Sequence, residues 1–221
     1  MNPLETRALY DLSHTLAAPL LEKVRYPWEA LSGIGAFIAA LGPTLSQEEY
    51  ASPRPGVWIH KTAVLAPTAF VGETVIIGPG AEVRHGAFIR GNALVGEGAV
   101  VGNSTELKNV ILFDRVQVPH YNYVGDSILG YKAHMGAGSI TSNVKSDKRL
   151  VVVKDGTEQV ETGRKKVGAM LGDRVEIGCN SVLNPGTVIG PDSNVYPTSC
   201  VRGVIPANHV YKDAAHIVEK K

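Results

Sequence analysis

The chain is predicted to be all-β, a parallel β-helix built from six-residue repeats. Three observations carry this. From Ile59 a bulky apolar residue recurs at every sixth position, through Leu65, Val71, Ile77, Val83, Ile89, Val95, Val101, Leu107 and Phe113. After Pro119 and a frame shift it resumes at Leu129 and Met135, then at Leu171, Ile177, Leu183, Ile189, Val195 and Val201, so 18 of 19 such positions are apolar. A small residue precedes most of the early ones by two, at Ala63, Ala69, Ala81, Ala87, Ala93 and Ala99, and a glycine commonly follows the large residue, as in IGPGAE and LGDRVE. A period of six matches neither the 3.6 of a helix nor the spacing of a hairpin array. It suits a chain that runs straight briefly, turns and repeats. Three hexads make one triangular coil, and coils stack through parallel hydrogen bonds with a spacing of about 4.8 Å. The large residue fills the prism and glycine is expected at a corner, where a residue without Cβ turns readily. The hexads account for about six coils.

Three segments lie outside the rhythm, giving divisions at 1–56, 57–206 and 207–221. Residues 1–56 carry two helical stretches, Thr6 to Leu16 and Trp28 to Leu41, the second stopped by Gly42-Pro43. They are expected to cap the first coil. Residues 141–166 read TSNVKSDKRLVVVKDGTEQVETGRKK. The β-branched run ending at Val153 meets Asp155-Gly156, a hairpin signal, so an arm should leave one corner here. The last stretch, 207–221, should be a short strand or helix.

Composition narrows the function. The chain has 221 residues, a formal net charge of +1 and a pI near 7.8, which gives no global basic field for nucleic acid. Cys179 and Cys200 stand inside the repeat, where a disulfide framework is not expected and a reducing cytoplasm suits them. No apolar run reaches membrane-spanning length, and the N-terminus lacks the form of a signal peptide. No metal site is expected from the spacing of histidines and cysteines.

The hexad rhythm breaks at PHYNYVGDSILG, where Val124 and Leu129 are five apart. His120 stands just before this slip, with Tyr123 three residues on and Asn143 at the start of the arm. Scaffolds give up regularity where chemistry demands it. A histidine can move a proton near neutral pH, tyrosine and asparagine can orient an acceptor, and arm lysines can hold phosphate.

These motifs have a resemblance. VGNSTELKNV…VPHYNYVGDS…GAGSITSN resembles the acetyltransferase β-helix of the bifunctional enzymes that make UDP-N-acetylglucosamine, which carry VGNFVEMK…AGHLTYLGDA…GAGTITCNY. The run TGRKKVGAMLGDRVEIGCNSVLNPGTVIG is similar to the archaeal-type sugar-1-phosphate nucleotidylyltransferase/amino-sugar-1-phosphate acetyltransferases. The likeness covers roughly 80–205, and residues 1–56 lack the glycine-rich signature of a pyrophosphorylase domain. It implies a left-handed coil, against the usual right-handed preference, a cytoplasmic homotrimer, and acetyl-CoA as donor.

By position the resemblance makes His120 the catalytic base. It makes Arg90, Lys108, Tyr123, His134, Asn143 and Lys148 acceptor contacts, with Lys145 or Lys154 as alternatives to Lys148. Cys179 and Asn184 fall where acetyl-CoA would run, while Arg164, Lys165 and Lys166 are either contacts for its phosphates or a solvated charge run at the return of the arm. Two residues depart from the pattern: His134 replaces an asparagine and Val144 a tyrosine. The implied activity is N-acetylation of glucosamine- or galactosamine-1-phosphate. Two other readings stay open, a non-catalytic β-helix that binds a sugar nucleotide or partner enzyme, and an acetyltransferase with a different acceptor.

Overall fold

The computed structural model describes residues 2–156 and 158–220. It is a left-handed parallel β-helix, a prism with three faces. The strands Phe70–Ile77, Phe88–Val95, Glu106–Leu112 and Tyr123–Leu129 each bend midway and serve two faces, while the third face is a separate sheet that includes Glu82–Val83, Val100–Asn103 and Gln117–His120. Eight strands stack on that third face between Val64–Leu65 and His209–Asp213, more than the hexads alone accounted for.

Each corner is a column of left-handed residues. One runs through Thr74, Asn92, Asn109 and Asp126, a second through Arg115, Lys132, Arg174, Asp192 and Asn208, and a third through Ser104, Tyr121, Asn180 and Thr198, with φ between 47° and 60°. Where a repeat carries a glycine after its inward residue, as at Gly72, Gly102, Gly130, Gly172, Gly178 and Gly190, it sits two residues before the turn residue and is required for a different reason than turning. A Cβ on Gly102 would lie 1.6 Å from the Pro119 carbonyl oxygen, so the next coil passes where a side chain would be. Glycine permits the stacking, and the residue two places later makes the turn.

The rhythm slips twice among the early coils. Val75 pairs with Ala93 eighteen residues on, whereas Ala93 pairs with Val110 and Val110 with Ser127 at seventeen. The inward residue above Val95 is therefore Leu112, and the hexad assignment of Phe113 is corrected. Phe113 lies at the corner, buried, with its ring 5.1 Å from that of Tyr10. The first missing residue leaves Arg90 unpaired, since Ile89 pairs with Leu107 and Gly91 with Lys108. This is a bulge, a device that re-aims a side chain.

The second face is covered along its length. Strand alternation turns Ile76, Leu94, Ile111, Ile128, Met170 and Val188 outward, yet each is at most 1% exposed. The N-terminal segment lies over most of them. Its short helices Thr6–Leu9, Ala18–Leu21 and Ile34–Leu41 run down the prism, opposite to the direction of stacking. Asp173 donates its amide N–H to the Leu9 carbonyl (3.0 Å), Asn109 reaches the Leu31 carbonyl (3.1 Å), and Gly42 fits against the Trp58 ring. The first coil is closed by the strand Tyr50–Arg54, antiparallel to Val57–His60. The far end is closed by the hairpin of His209–Asp213 and His216–Glu219.

The arm also differs from the expectation that it leaves the prism. Val152–Asp155 and Glu158–Glu161 form a hairpin whose turn includes Gly156 (φ 56°), and Val151 and Val153 are fully buried. It lies beside Val204–Ile205 and takes over where the helices stop. No helix among the described residues is long and apolar enough to cross a membrane.

Candidate functional site

With the second face covered, the first and third faces remain exposed, and the first carries a connected cluster of polar and charged side chains. Successive coils there present Phe88 and Arg90, then Glu106 and Lys108, then Tyr123, then Asn143 beyond Ile140–Thr141. Asp126 is the hub. It sits in the second slip with φ 47°, and its side chain is only 6% exposed. Its carboxylate accepts from Lys108 Nζ (2.9 and 3.0 Å), Asn109 Nδ2 (3.0 Å) and Asn143 Nδ2 (2.6 Å). Asn143 Nδ2 also lies 3.2 Å from the Tyr123 hydroxyl. A buried carboxylate is stable only with such partners. Alongside, Arg90 pairs with Glu106 at 2.9 Å. Partial burial, with Glu106 nearby, holds the Tyr123 phenol above its usual pKa, so it stays protonated and able to donate.

His120 ends the strand Gln117–His120 at the third corner, one residue before left-handed Tyr121. Its backbone N–H donates to Asn122 Oδ1 (3.1 Å) and its carbonyl accepts from Gly138 (2.9 Å). Asn122, 2% exposed, donates in turn to the carbonyls of Gly136 (2.9 Å) and Ser139 (3.1 Å). The imidazole is exposed and has no hydrogen bond among the described residues. Its backbone is fixed while its ring is open to solvent.

The structure therefore brings Arg90, Lys108, Tyr123 and Asn143 together, with His120 at the entry to their face. His134 lies elsewhere, on the third face, with Nδ1 2.7 Å from Glu176 Oε2. Lys148 is exposed in a turn closed on Lys145. Cys179 is at the third corner and Asn184 follows Val182–Leu183, so the two flank one strand; the Asn184 side chain donates to the Val201 carbonyl at 2.9 Å. Arg164 is committed otherwise: it donates to the Glu29 carbonyl (2.9 Å) and Ser32 Oγ (2.8 Å), tying the arm to the helical segment. Lys166 forms a bridge with Val144. Both cysteines are free. Sequence reasoning missed Asp126 and Asn122. The signal for Asp126 was the Gly-Asp pair inside the slip, and for Asn122 an asparagine just after a corner, at the position two before the inward residue where earlier repeats carry alanine.

The stacked coils and the polar network on one open face define a hexapeptide-repeat β-solenoid. Residues 73–217 match the family model described as the GMPPB C-terminal domain, well over half of the chain, and the chain belongs to that family. It is 36% identical over 201 residues to a bifunctional protein GlmU of Methanococcus maripaludis, covering 90% of this chain and 49% of that protein. It is 31% identical over 109 residues to a bifunctional sugar-1-phosphate nucleotidylyltransferase/acetyltransferase of Sulfurisphaera tokodaii, covering 49% of this chain and 27% of that one. The chain thus spans at most about half the length of these relatives. A match over 90% of the chain must enter residues 1–56, so the likeness extends beyond the 80–205 expected from the motifs. Among solved structures, a hexapeptide transferase family protein from Anaplasma phagocytophilum covers 75% of this chain and 79% of its own, at 18% identity and a TM-score of 0.42.

Proposed function

We propose that the chain transfers an acetyl group from acetyl-CoA to the amine of an amino-sugar 1-phosphate, with glucosamine- and galactosamine-1-phosphate as the candidate acceptors. The observation that carries this reading is the Lys108–Asp126–Asn143–Tyr123 network beside the exposed His120 ring. The names of the relatives from Methanococcus and Sulfurisphaera support the same class. In the proposed reaction the acceptor reacts as the free amine, and His120 takes a proton from its nitrogen as that nitrogen attacks the thioester carbon. The C–N bond forms, the C–S bond breaks, and the thiolate leaves with the proton that His120 returns. Tyr123 and Asn143 hold sugar hydroxyls; Arg90 and Lys108 face the phosphate. The enzyme works as a cytoplasmic homotrimer in this reading.

One observation favours a second reading, a different acceptor. Arg90 and Lys108 are each already paired with a carboxylate, Glu106 and Asp126, so the cluster carries no excess positive charge toward a phosphate. A thiol-release assay with acetyl-CoA separates the two. Release with either sugar phosphate, and not with the free amino sugars, supports the first; release with the free or nucleotide-linked amino sugars alone supports the second. Silence with every acceptor rejects both.

A further inference from the structure

A groove of about 460 Å³ lies between the arm and the last coils, on the same corner of the prism as Asp126 and further along the stack, since Gly168 donates to the Asp126 carbonyl (2.8 Å) and Gly186, which lines the groove, to the Gly168 carbonyl (2.9 Å). Its cations are Arg149 and Lys154 from the arm, Arg202 from the prism, and Lys145 at the edge, and among the described residues no acidic side chain lines it. Lys145 is paired with Asp147 at 3.3 Å. Arg149, Lys154 and Arg202 are exposed and enter no ion pair among the described residues.

The groove is a built feature. Val151 and Val153 point into the prism surface and are fully buried, so alternation turns Leu150, Val152 and Lys154 out into it. The arm seats closely because glycines lie beneath it. A Cβ on Gly203 would meet the Lys154 carbonyl oxygen at 2.8 Å, and one on Gly186 would meet Val151 Cγ1 at 2.8 Å. The arm cations are thereby held across from Arg202 by backbone contacts. Uncompensated like charges repel in a shared groove, and the arrangement is most stable when a polyanion joins them.

Register connects this groove to the other site. Tyr123 stacks on Ile140, Ile140 on Val182, and Val182 on Cys200, two residues before Arg202. From His120 to Arg202 the path climbs three rungs and crosses one face, a diagonal of about 20 Å from strand spacing and rise. Between the two ends the outward residues Ile140, Ser142, Val182 and Asn184 are half-buried and uncharged. A ligand with a charged head in the groove and a long neutral arm along this strip would bring its far end to His120.

We infer that the arm groove of Arg149, Lys154 and Arg202 binds the phosphorylated nucleotide end of the acyl donor, a 3′-phosphorylated adenosine diphosphate, with Leu150 and Pro185 offering apolar surface to the base. The donor assignment rests on the function proposed above. The groove replaces Arg164 and Lys166 as the phosphate contacts.

Titration calorimetry of adenosine 3′,5′-bisphosphate, CoA and UDP-N-acetylglucosamine tests this on the wild type and on Arg149→Gln/Arg202→Gln. Lys154→Gln, fully on the arm surface, serves as a second variant. The expected result is that CoA and the bisphosphate bind the wild type and weaken at least tenfold in the double variant and several-fold in Lys154→Gln, more steeply at low salt. Unchanged affinity for CoA in folded variants overturns the assignment, as does loss of UDP-N-acetylglucosamine binding in place of CoA. Arginine-dependent CoA binding without thiol release from any acceptor would leave the groove standing and reject the proposed function. Thiol release indifferent to both variants would do the reverse.

Discussion

Asp126 illustrates how a single residue organises the first face. A carboxylate at 6% exposure needs its three donors, and each of those donors needs it. Asp126→Ala should cost about 3–5 kcal/mol, because it leaves the Lys108 ammonium with no counter-charge in a half-buried site. Asp126→Asn should cost less and restore part of the stability in urea titrations; equal losses for the two would argue against charge pairing as the cause. Asp126 was not legible from the hexads, since its inward turn depends on the residue missing from its coil. His120 and Tyr123 were legible because they flank that slip in the chain itself. His134 was not separable from them in sequence, and only the stacking places it on another face.

At the scale of elements, the repeat glycines and the turn residues carry different loads. Gly102→Ala puts a methyl group on the Pro119 carbonyl and should destabilise by about 3 kcal/mol or more. Gly80 has φ 59° and nothing within 4 Å of its missing Cβ, so Gly80→Ala should cost only about 1–2 kcal/mol, the strain of a left-handed alanine. Paired urea midpoints of these variants test the division, and similar losses would contradict it. The hexads revealed the interior because inward positions recur. They misassigned glycine because close approach between coils is invisible along one coil. The hairpin at Asp155-Gly156 was readable from its turn residues, whereas its seat on the prism depends on Gly186 and Gly203, far away in sequence.

For the whole molecule, the helical segment and the arm together make one face of the prism an interior. The triplets VII, ALV, VIL, AML and TVI already carried this information, since an apolar residue between two inward ones means a face that water does not reach. Ile34 is fully buried in this layer, and Ile34→Ala should cost about 2–5 kcal/mol. Tyr10 joins the layer to the prism through its hydroxyl, which donates to the Ile128 carbonyl at 3.2 Å, and complete burial pushes its phenol well above the usual range. The unfolded chain releases this proton near pH 10 while the folded chain retains it, so the tyrosine's contribution is whole below about pH 10 and declines as pH rises beyond it. Denaturation between pH 8 and 11 should show a shallower decline in Tyr10→Phe than in the wild type; parallel curves would contradict that placement.

The central claim is that the open face transfers acetyl groups with His120 as base. Its most direct test is the thiol-release rate with saturating acetyl-CoA and glucosamine-1-phosphate or galactosamine-1-phosphate, for the wild type and for folded His120→Ala. The account predicts turnover by the wild type and a fall of about 10²–10⁴-fold in the variant, with its melting temperature unchanged. Equal rates in the two proteins would contradict it.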